Sequence, residues 1–240
     1  MVVEYRVADA YEEIRSEPDD SVAFIHLDDA WARPKRGNAF GVEYPTHPFS
    51  REDDHFEPDK HEFVVTDIVA ECIRVLRPDG ILVADTDSWL FPQLFEWLCD
   101  RLDSGCARSG GVTLLSADGT PDCSTPGQYG SSGGYSVVMA SPASCPGLSS
   151  YSVADRQHEQ YGWGTVKPLS PYKTWVREAT ASDDRILVPC AGTAPTAIAA
   201  EMLYEDPDVL AIDVESDARD AYERRRTDEL NRQASLSGWA

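Results

Sequence analysis

Lysine is scarce in this sequence. It occurs at only four of the 21 basic positions, Lys35, Lys60, Lys167 and Lys173, and all the others are arginine. The chain also carries 42 acidic residues, which gives a formal net charge of -21 at pH 7. Repulsion among acidic side chains is screened in concentrated salt, where the Debye length falls to about 3 Å at 1 M, so this balance predicts a halophilic protein. An ordinary acidic cytosolic protein is the alternative.

Long apolar runs are lacking as well. No window approaches about 18 apolar residues, and the first residues, MVVEYRVADAYEE, show no basic region followed by an apolar stretch. These absences argue against a membrane-spanning helix and a secretion signal, so we expect a soluble, cytoplasmic protein. Apolar residues nevertheless make up 42% of the chain, which favours a folded domain over a disordered acidic tail.

Six cysteines are present, but no two of them form a Cys-x-x-Cys pair. A zinc site could use Cys106, Cys123, Cys145 and His158, yet their spacing matches no zinc module. We therefore expect no metal cofactor.

Helical and strand patterns alternate along the chain. The spacing of apolar residues predicts helices at 9–17, 61–77, 92–102, 171–180 (with Ser170 as N-cap), 195–204 and one ending near Arg232, and strands at 22–27, 81–85, 112–116, 135–141, 185–190 and 209–213. This alternation is typical of an α/β fold with a doubly wound, mainly parallel sheet. Strands 112–116 and 135–141 predict an antiparallel hairpin at one edge of that sheet.

Two features lie at the carboxyl ends of late strands, where ligands bind in open α/β sheets. A turn of small residues around Gly192 lets a ligand approach the backbone and leads into a helix N-terminus. Asp213 ends the next strand about twenty residues later, where nucleoside-binding proteins hold ribose hydroxyls. A structural Asp that caps the following helix is the alternative.

A third feature is the segment that follows the strand at 22–27. Asp28, the neighbouring backbone carbonyl and Trp31 suit a planar base that carries an amine, held by hydrogen bonds and stacking. Alternatively, Asp28 or Asp29 caps a helix or is solvated, and Trp31 packs in the core.

In their order along the chain, these segments resemble the permuted DNA amino-methyltransferases of the β class. VADAYEEIRSEPDDSVAFIHLDDAW is similar to the start of that family, where a helix and a turn precede a strand that ends in Asp-Pro-Pro-aromatic. The next helix and strand of the family resemble ECIRVLRPDGILVAD. Its Lys-Pro pair, the helix after it and the cofactor turn resemble VKPLSPYKTWVREATASDDRILVPCAGTAPTAIAA. Its acidic motif resembles AIDVESDARDAYERR. The resemblance covers nearly the whole chain and implies the Rossmann-like fold of S-adenosylmethionine-dependent methyltransferases.

The resemblance also implies roles for individual residues. The cofactor would be S-adenosyl-L-methionine, bound by Asp9, Lys167, Pro168, Pro189, Cys190, Ala191, Gly192, Thr193 and Asp213. A flipped base would donate hydrogen bonds from its exocyclic amine to Asp28 and to the carbonyl of Asp29, and would stack on Trp31. Ala30 completes this catalytic segment.

The sequence departs from the family in the catalytic segment. Asp29 and Ala30 stand where the family has two prolines, so the backbone carbonyl is kept but the rigidity of the proline rings is lost.

It also departs from the family in the cofactor turn. Val188 replaces an Asp, Cys190 an aromatic residue, and Ala194 the second glycine. Without that Asp, the ammonium of the cofactor needs another acid, for which Asp85 and Asp87 are the candidates.

The resemblance implies a single domain over 1–240, with a catalytic half at 1–141 and a cofactor-binding half at 167–240. Double-stranded DNA would be the partner of a monomer or homodimer, and the target would be read from irregular insertions at 32–60, 117–134 and 142–166. DNA contacts in the first insertion would come from Arg33, Lys35 and Arg36. Asp28 favours N6-adenine over N4-cytosine as the methylated base.

Two other functions stay open. Val188 and the Asp29-Ala30 pair suggest a degenerate relative that binds the cofactor or nucleic acid without turnover. A methyltransferase that acts on an amine of RNA, protein or a small molecule would use the same acceptor chemistry.

Overall fold

The computed structural model describes residues 3–28, 65–86, 90–103, 105–122, 126–127, 130–131, 133–157, 161–163 and 166–237. The strands are β1 (Val3–Val7), β2 (Val22–Leu27), β3 (Leu76–Thr86), β4 (Ala107–Leu115), β5 (Pro126–Gly127), β6 (Gly130–Ser131), β7 (Gly134–Ala140), β8 (Tyr151–Asp155), β9 (Arg185–Pro189) and β10 (Asp208–Asp213). The helices are α1 (Ala10–Ser16), α2 (Val65–Val75), α3 (Leu90–Cys99), α4 (Leu169–Ala179), α5 (Pro195–Leu203) and α6 (Ser216–Ser237).

The main sheet has eight strands in the order β1-β10-β9-β2-β3-β7-β4-β8, and β5 pairs only with β6. Neighbouring strands of the main sheet are parallel, except that β7 runs antiparallel to both β3 and β4. The predicted doubly wound, mainly parallel sheet is therefore confirmed. The predicted antiparallel pair of β4 and β7 forms too, but it is not the edge of the sheet, because β8 adds a parallel strand outside it.

Helices cover both faces of the sheet. On one face α1, α2 and α3 pack on the strands through side chains such as Ile14 and Leu94. On the other face α4, α5 and α6 pack through Trp175, Ile198 and Tyr222. Central strands are consequently buried on both sides, and β2 is buried at every position, as its continuous apolar sequence requires. No described helix combines the length and the apolar character needed to cross a membrane.

Helix boundaries differ from the sequence prediction by a few residues. The helix α3 spans Leu90–Cys99 in place of 92–102, and α1 spans Ala10–Ser16 in place of 9–17. The helix α2 ends at Val75, because Leu76 pairs with Val22 in the sheet and strand pairing outweighs its helix propensity. The helix α4 has Pro168 at its N-cap in place of Ser170, and no side chain caps it.

The segment 142–166, predicted to be an irregular insertion, contains the strand β8. Its backbone pairs with β4 from Gly111 opposite Tyr151 to Leu115 opposite Asp155. The larger apolar side chains of β8, Tyr151 and Val153, are exposed and only Ala154 is buried, so its apolar residues do not line a buried face as they do in a typical strand. The pairing with β4 therefore defines this strand, and the segment 142–166 is part of the sheet rather than only a loop.

Candidate active site

The order of the strands changes direction between β9 and β2. The chain runs from β9 outward to β10, and from β2 outward to β3 on the opposite side. Such a switch leaves a crevice at the carboxyl ends of the two central strands, where ligands bind in doubly wound sheets. Asp28 directly follows β2, the turn 190–194 follows β9, and Asp213 ends β10. The sheet thus brings all three features together at one edge.

The turn after β9 has an unusual backbone. Cys190, Gly192 and Ala194 all have left-handed backbone angles, with φ of 52°, 51° and 43°. The Gly192 amide donates a hydrogen bond to Asp213 Oδ2 at 2.9 Å, and its carbonyl accepts one from the Tyr5 hydroxyl at 2.8 Å. These bonds hold the turn against β10 and β1, and they do so with alanine at position 194 where the resembling family has glycine.

Replacing Ala194 with glycine is expected to change the free energy of unfolding by less than about 1 kcal/mol. A left-handed alanine costs about 1–2 kcal/mol, which Ala194→Gly relieves. The substitution also removes a buried methyl group, worth about 0.8 kcal/mol, and gives the unfolded chain about 0.5–1 kcal/mol of extra entropy. Denaturant unfolding of the variant and the wild type checks this cancellation. A stabilisation above about 1.5 kcal/mol would show that the strain is not offset.

Asp213 is held by the backbone on both of its oxygens. Oδ2 accepts from the Gly192 amide, and Oδ1 accepts from the Glu215 amide at 3.0 Å. Burial outweighs these bonds and raises the pKa of Asp213 above its ordinary value. Val7, which lies opposite Asp213 in the sheet register, and Val214 remain 41% and 62% exposed. A carboxylate beside exposed apolar surface suits a ligand that has hydroxyl groups as well as a planar ring.

Asp9 lies at the same edge of the sheet. The amide of Ala8 donates to the Asp213 carbonyl at 3.0 Å, which ties the turn between β1 and α1 to the end of β10. Asp9 is the N-cap of α1, and its Oδ1 accepts from the amides of Tyr11 and Glu12 at 2.8 and 3.2 Å. Its side chain therefore has a structural role in addition to its position near Asp213.

A buried polar cluster adjoins Asp28. Asp85, near the carboxyl end of β3, is fully buried. Its Oδ2 lies 3.1 Å from His26 Nε2, 2.9 Å from Lys167 Nζ and 2.5 Å from the Tyr172 hydroxyl. Lys167 Nζ also lies 3.5 Å from Asp28 Oδ2. One ammonium group thus joins Asp28 to a buried carboxylate.

The protonation of this cluster follows from its surroundings. Burial by itself would raise the pKa of Asp85, but the Lys167 ammonium and the His26 ring outweigh burial and hold that pKa below its ordinary value. Burial, together with the charge of Asp85, raises the pKa of both Tyr172 and Tyr135, so both phenols keep their protons. Tyr172 therefore donates to Asp85, and the hydroxyl oxygens of Tyr135 and Tyr172 lie 3.0 Å apart.

No protein-family profile matches this chain, and no curated protein matches its sequence. Solved structures do resemble it. M1.HpyAVI in complex with SAM has a TM-score of 0.61 at 15% identity, over 93% of this chain and 98% of that one. The cytosine-N4-specific PvuII DNA methyltransferase has a TM-score of 0.65 at 15% identity, over 97% and 93%. The chain has a methyltransferase fold.

A protein from Thermus thermophilus assigned as a DNA modification methylase, solved with S-adenosyl-L-methionine, also shares this methyltransferase fold. Its TM-score is 0.56 at 18% identity, over 95% of this chain and 96% of that one. The Rossmann-like fold expected from the sequence is therefore confirmed. At these identities the likeness establishes the fold, and the chemistry depends on this chain's own residues.

Within the methyltransferase fold, Arg225 of α6 is a second buried cation. It is fully buried, and its guanidinium donates to the Thr193 hydroxyl at 2.9 Å, to the Lys167 carbonyl at 2.7 Å and to Gln157 Oε1 at 3.2 Å. Arg225 therefore ties α6 both to the turn after β9 and to the segment before α4. These three contacts join parts of the chain that are far apart in sequence.

The structure brings most of the predicted cofactor residues to one edge of the sheet. Pro189 ends β9, Cys190, Ala191, Gly192 and Thr193 form the turn, Pro168 caps α4, and Asp9, Lys167 and Asp213 lie as described. Asp85, a candidate partner for the cofactor ammonium, already binds the ammonium of Lys167. The predicted residues Asp29, Ala30, Trp31, Arg33, Lys35, Arg36 and Asp87 lie outside the described residues.

Sequence reasoning missed the partners of Asp85 and the role of Arg225. His26 carried a usable signal, because a histidine inside a continuous apolar strand needs a buried partner. Its Nδ1 lies 2.9 Å from Thr196 Oγ1, and its Nε2 faces Asp85. Tyr172 and Arg225 carried no such signal, since each lies in a helix with many polar residues.

Proposed function

We propose that this protein is an S-adenosylmethionine-dependent DNA methyltransferase that methylates the exocyclic amine of a flipped base, with N6-adenine favoured over N4-cytosine. The observation that carries the proposal is the placement of Asp28 at the switch point, beside the turn after β9 and Asp213. The strand with Asp28 precedes β9 in the chain yet lies next to it in the sheet, which supports the permuted class. The solved proteins named as methyltransferases, and those solved with the cofactor, support it further.

The described residues fit S-adenosylmethionine in three respects. Asp213 offers carboxylate oxygens to ribose hydroxyls, and the exposed side chains of Val7 and Val214 offer apolar surface to an adenine ring. Gly192 has no side chain, so the backbone of the turn can approach the methionine part closely. Asp9 adjoins Asp213 at the same edge, on the side where the adenine would lie.

When bound, S-adenosylmethionine would supply a methyl group whose bond to a positively charged sulfur breaks, leaving a neutral thioether, as the bond to the amine forms. The task of this chain is to hold the amine in line with that methyl group. The Asp28 carboxylate would accept a hydrogen bond from the exocyclic N–H, which leaves the nitrogen lone pair free to form the new bond. As that bond forms the nitrogen loses a proton, and Asp28 is the group placed to accept it. The carbonyl of Asp29 and the ring of Trp31 would complete the base pocket.

The acidic composition bears on how DNA is bound. A net charge of -21 opposes approach to DNA at low salt, and screening in molar salt removes most of that opposition. We therefore propose a halophilic enzyme whose DNA contacts include Arg33, Lys35 and Arg36. These three basic residues follow Asp28 within eight positions of the sequence.

Methyl transfer from isotope-labelled S-adenosylmethionine tests the proposed function. The full-length protein is incubated with double-stranded DNA, single-stranded DNA or RNA at KCl concentrations from about 0.1 M to about 3 M, and nucleosides are identified by mass spectrometry. We expect N6-methyladenine in double-stranded DNA. Detection of N4-methylcytosine would show that cytosine, and not adenine, is the methylated base. Detection of a methylated RNA nucleoside would show that the substrate is RNA.

A second candidate is a cofactor-binding protein that does not transfer methyl groups. The observation that favours it is Val188, which is fully buried and leaves no acid where the family has one. Calorimetric binding of S-adenosylmethionine, with no methylated nucleoside at any salt concentration, would identify this candidate.

Replacing Asp213 with alanine is expected to raise the Kd for S-adenosylmethionine by at least about 100-fold. Each hydrogen bond to a charged group contributes about 1.5–3 kcal/mol, and two would be lost to the ribose. Isothermal calorimetry measures the change. Asp208→Ala is the matched control, because it removes an acid from the other end of β10, where the side chain pairs with Arg185 at 3.0 Å. Equal affinity of Asp213→Ala and wild type would exclude Asp213 from the cofactor site.

A further inference from the structure

Lys167 makes contacts that its motif does not indicate. The family resemblance places it on the methionine side of the cofactor, and in the structure its Nζ lies 2.9 Å from Asp85 Oδ2 and 3.5 Å from Asp28 Oδ2. The side chain is only 12% exposed, and the ammonium lies 4.1 Å from the centre of the Tyr135 ring. An aromatic face and two carboxylates therefore surround this ammonium, which suits a fixed cation.

We infer that Lys167 is a positioning residue for Asp28: its ammonium fixes the Asp28 carboxylate at the end of β2 and keeps it in the ionised form that accepts a hydrogen bond from an amine. The inference deepens the proposed function and rests on it. A protonated carboxyl group gains a donor and loses acceptor capacity, so it would hold an amine less well. A cation about 4 Å away favours the ionised form.

The other charges near Asp28 show why a cation is needed there. Among the described residues, Asp28 interacts with Asp213 on β10, Cys190 after β9, Tyr135 on β7 and Lys167 before α4, and the Lys167 ammonium joins it to Asp85 on β3. Burial keeps the thiol and the phenol neutral, because it raises the pKa of both Cys190 and Tyr135. The two acids disfavour a third negative charge. Among the described residues, Lys167 is the one cation within salt-bridge distance of Asp28.

Asp85 holds the ammonium of Lys167 in place. Its carboxylate is fully buried and also receives the His26 ring and the Tyr172 hydroxyl, which come from β2 and α4. Arg225 fixes the backbone at the same point, because its guanidinium donates to the Lys167 carbonyl at 2.7 Å. Lys167 is thus anchored at its backbone and at its ammonium before any substrate binds.

Titration of Asp28 by carbon-13 NMR tests the inference without depending on activity. Aspartate carboxyl carbons are labelled, and the signal that disappears in Asp28→Asn identifies Asp28. We expect the midpoint of that signal to rise by at least about one pH unit in Lys167→Met, because the neighbouring positive charge is lost. Lys167→Arg should keep the midpoint near the wild-type value, since the charge is retained.

Methyl transfer provides a second readout. In Lys167→Met the acid side of the kcat profile should move to higher pH by a similar amount, while the Kd for S-adenosylmethionine changes by less than about threefold. Lys173→Met is the matched control, because Lys173 lies on α4 and its ammonium contacts the Met202 sulfur at 4.0 Å. The dependence of kcat on pH and the Kd for S-adenosylmethionine should be the same in Lys173→Met as in the wild type.

Lys167→Met leaves Asp85 buried without its ammonium, so it can lose stability for that reason alone. The matched comparison is therefore Asp85→Asn against the double variant Lys167→Met/Asp85→Asn, because the Asp85 charge is absent from both. We expect the Asp28 midpoint to be higher in the double variant. An unchanged midpoint in both backgrounds would overturn the inference and leave Lys167 as only the counter-ion of Asp85. A Kd for the cofactor that rises in step with the loss of kcat would overturn it too, and would make Lys167 a cofactor ligand.

The two proposals fail in different ways. If the wild-type protein transfers no methyl group to any nucleic acid, the proposed function fails. The NMR titration still decides whether Lys167 sets the ionisation of Asp28.

Discussion

Replacing Asp28 with alanine is expected to lower the rate of methyl transfer at least about 1000-fold and to leave the Kd for S-adenosylmethionine within about threefold of the wild type. Asp28 would hold the amine, whereas the turn after β9 and Asp213 would hold the cofactor. Because Lys167 keeps Asp85 as its counter-ion at 2.9 Å, the variant leaves no buried charge without a partner. The fold should therefore survive the substitution.

Two further variants sharpen this test. Asp28→Asn keeps one acceptor oxygen, so its rate should lie between those of the wild type and Asp28→Ala. Asp79→Ala removes an exposed aspartate of β3, whose side chain is 75% accessible, and should leave the rate unchanged. Rates are measured by single-turnover transfer of a labelled methyl group. Wild-type activity in Asp28→Ala would remove Asp28 from catalysis.

Replacing Asp85 with asparagine is expected to lower the free energy of unfolding by about 3–5 kcal/mol at neutral pH. The substitution leaves the Lys167 ammonium, 12% exposed, without a buried counter-ion. All three donors contact one oxygen, Oδ2, and a neutral amide oxygen at that position accepts weaker hydrogen bonds than a carboxylate oxygen. Chemical denaturation measures the loss. A change below about 1 kcal/mol would contradict the importance of this cluster for folding.

The pH dependence of the free energy of unfolding shows whether the loss of stability in Asp85→Asn comes from the Asp85 charge. The pKa of Asp85 is lower in the folded protein than in the unfolded chain, so its contribution to stability is present above the ordinary pKa of about 4. That contribution is lost as the pH falls below about 4 towards the folded-state pKa. The wild type should therefore lose more stability than Asp85→Asn over that acidic range.

An acid at the opposite end of the sheet is the control for Asp85→Asn. Glu17 follows α1, its side chain is 11% exposed, and it pairs at 2.7 Å with Arg185 at the start of β9. We expect Glu17→Gln to lower stability while leaving methyl transfer per folded molecule unchanged. Asp85→Asn should lower both stability and methyl transfer, because it weakens the hold on the Lys167 ammonium that lies beside Asp28.

The sequence predicted those elements whose signals are local. The strand β2 was predicted with its observed bounds, since its six consecutive buried residues are all apolar except His26. The helix α5 was predicted within one residue, because Pro195 favours the first turn of a helix. Strands β1 and β8 were not predicted, because both lie at the edges of the sheet and neither shows the pattern of a buried strand.

Some residues of the candidate site could likewise be proposed from the sequence, whereas their contacts with distant residues could not. Asp28 and Asp213 could be proposed from the sequence because each follows or ends an apolar strand, and the carboxyl ends of parallel strands meet at one edge. The contact between Lys167 and Asp85 could not be proposed, because 82 positions separate the two residues in the chain. Arg225 reaches Thr193 over 32 positions, with no motif to indicate the pair.

The sequence by itself determined the order along the chain of the helices and of the buried strands, the expectation of a parallel sheet, and the acids that end its strands. Periodicity and turn chemistry depend on backbone geometry within a few residues, so they can be interpreted one segment at a time. The tertiary structure alone decided which cation neutralises Asp85, which groups surround Asp28, and how Arg225 joins α6 to the turn after β9. Buried charges take partners from whichever elements packing brings into contact, and those contacts form only in the assembled sheet.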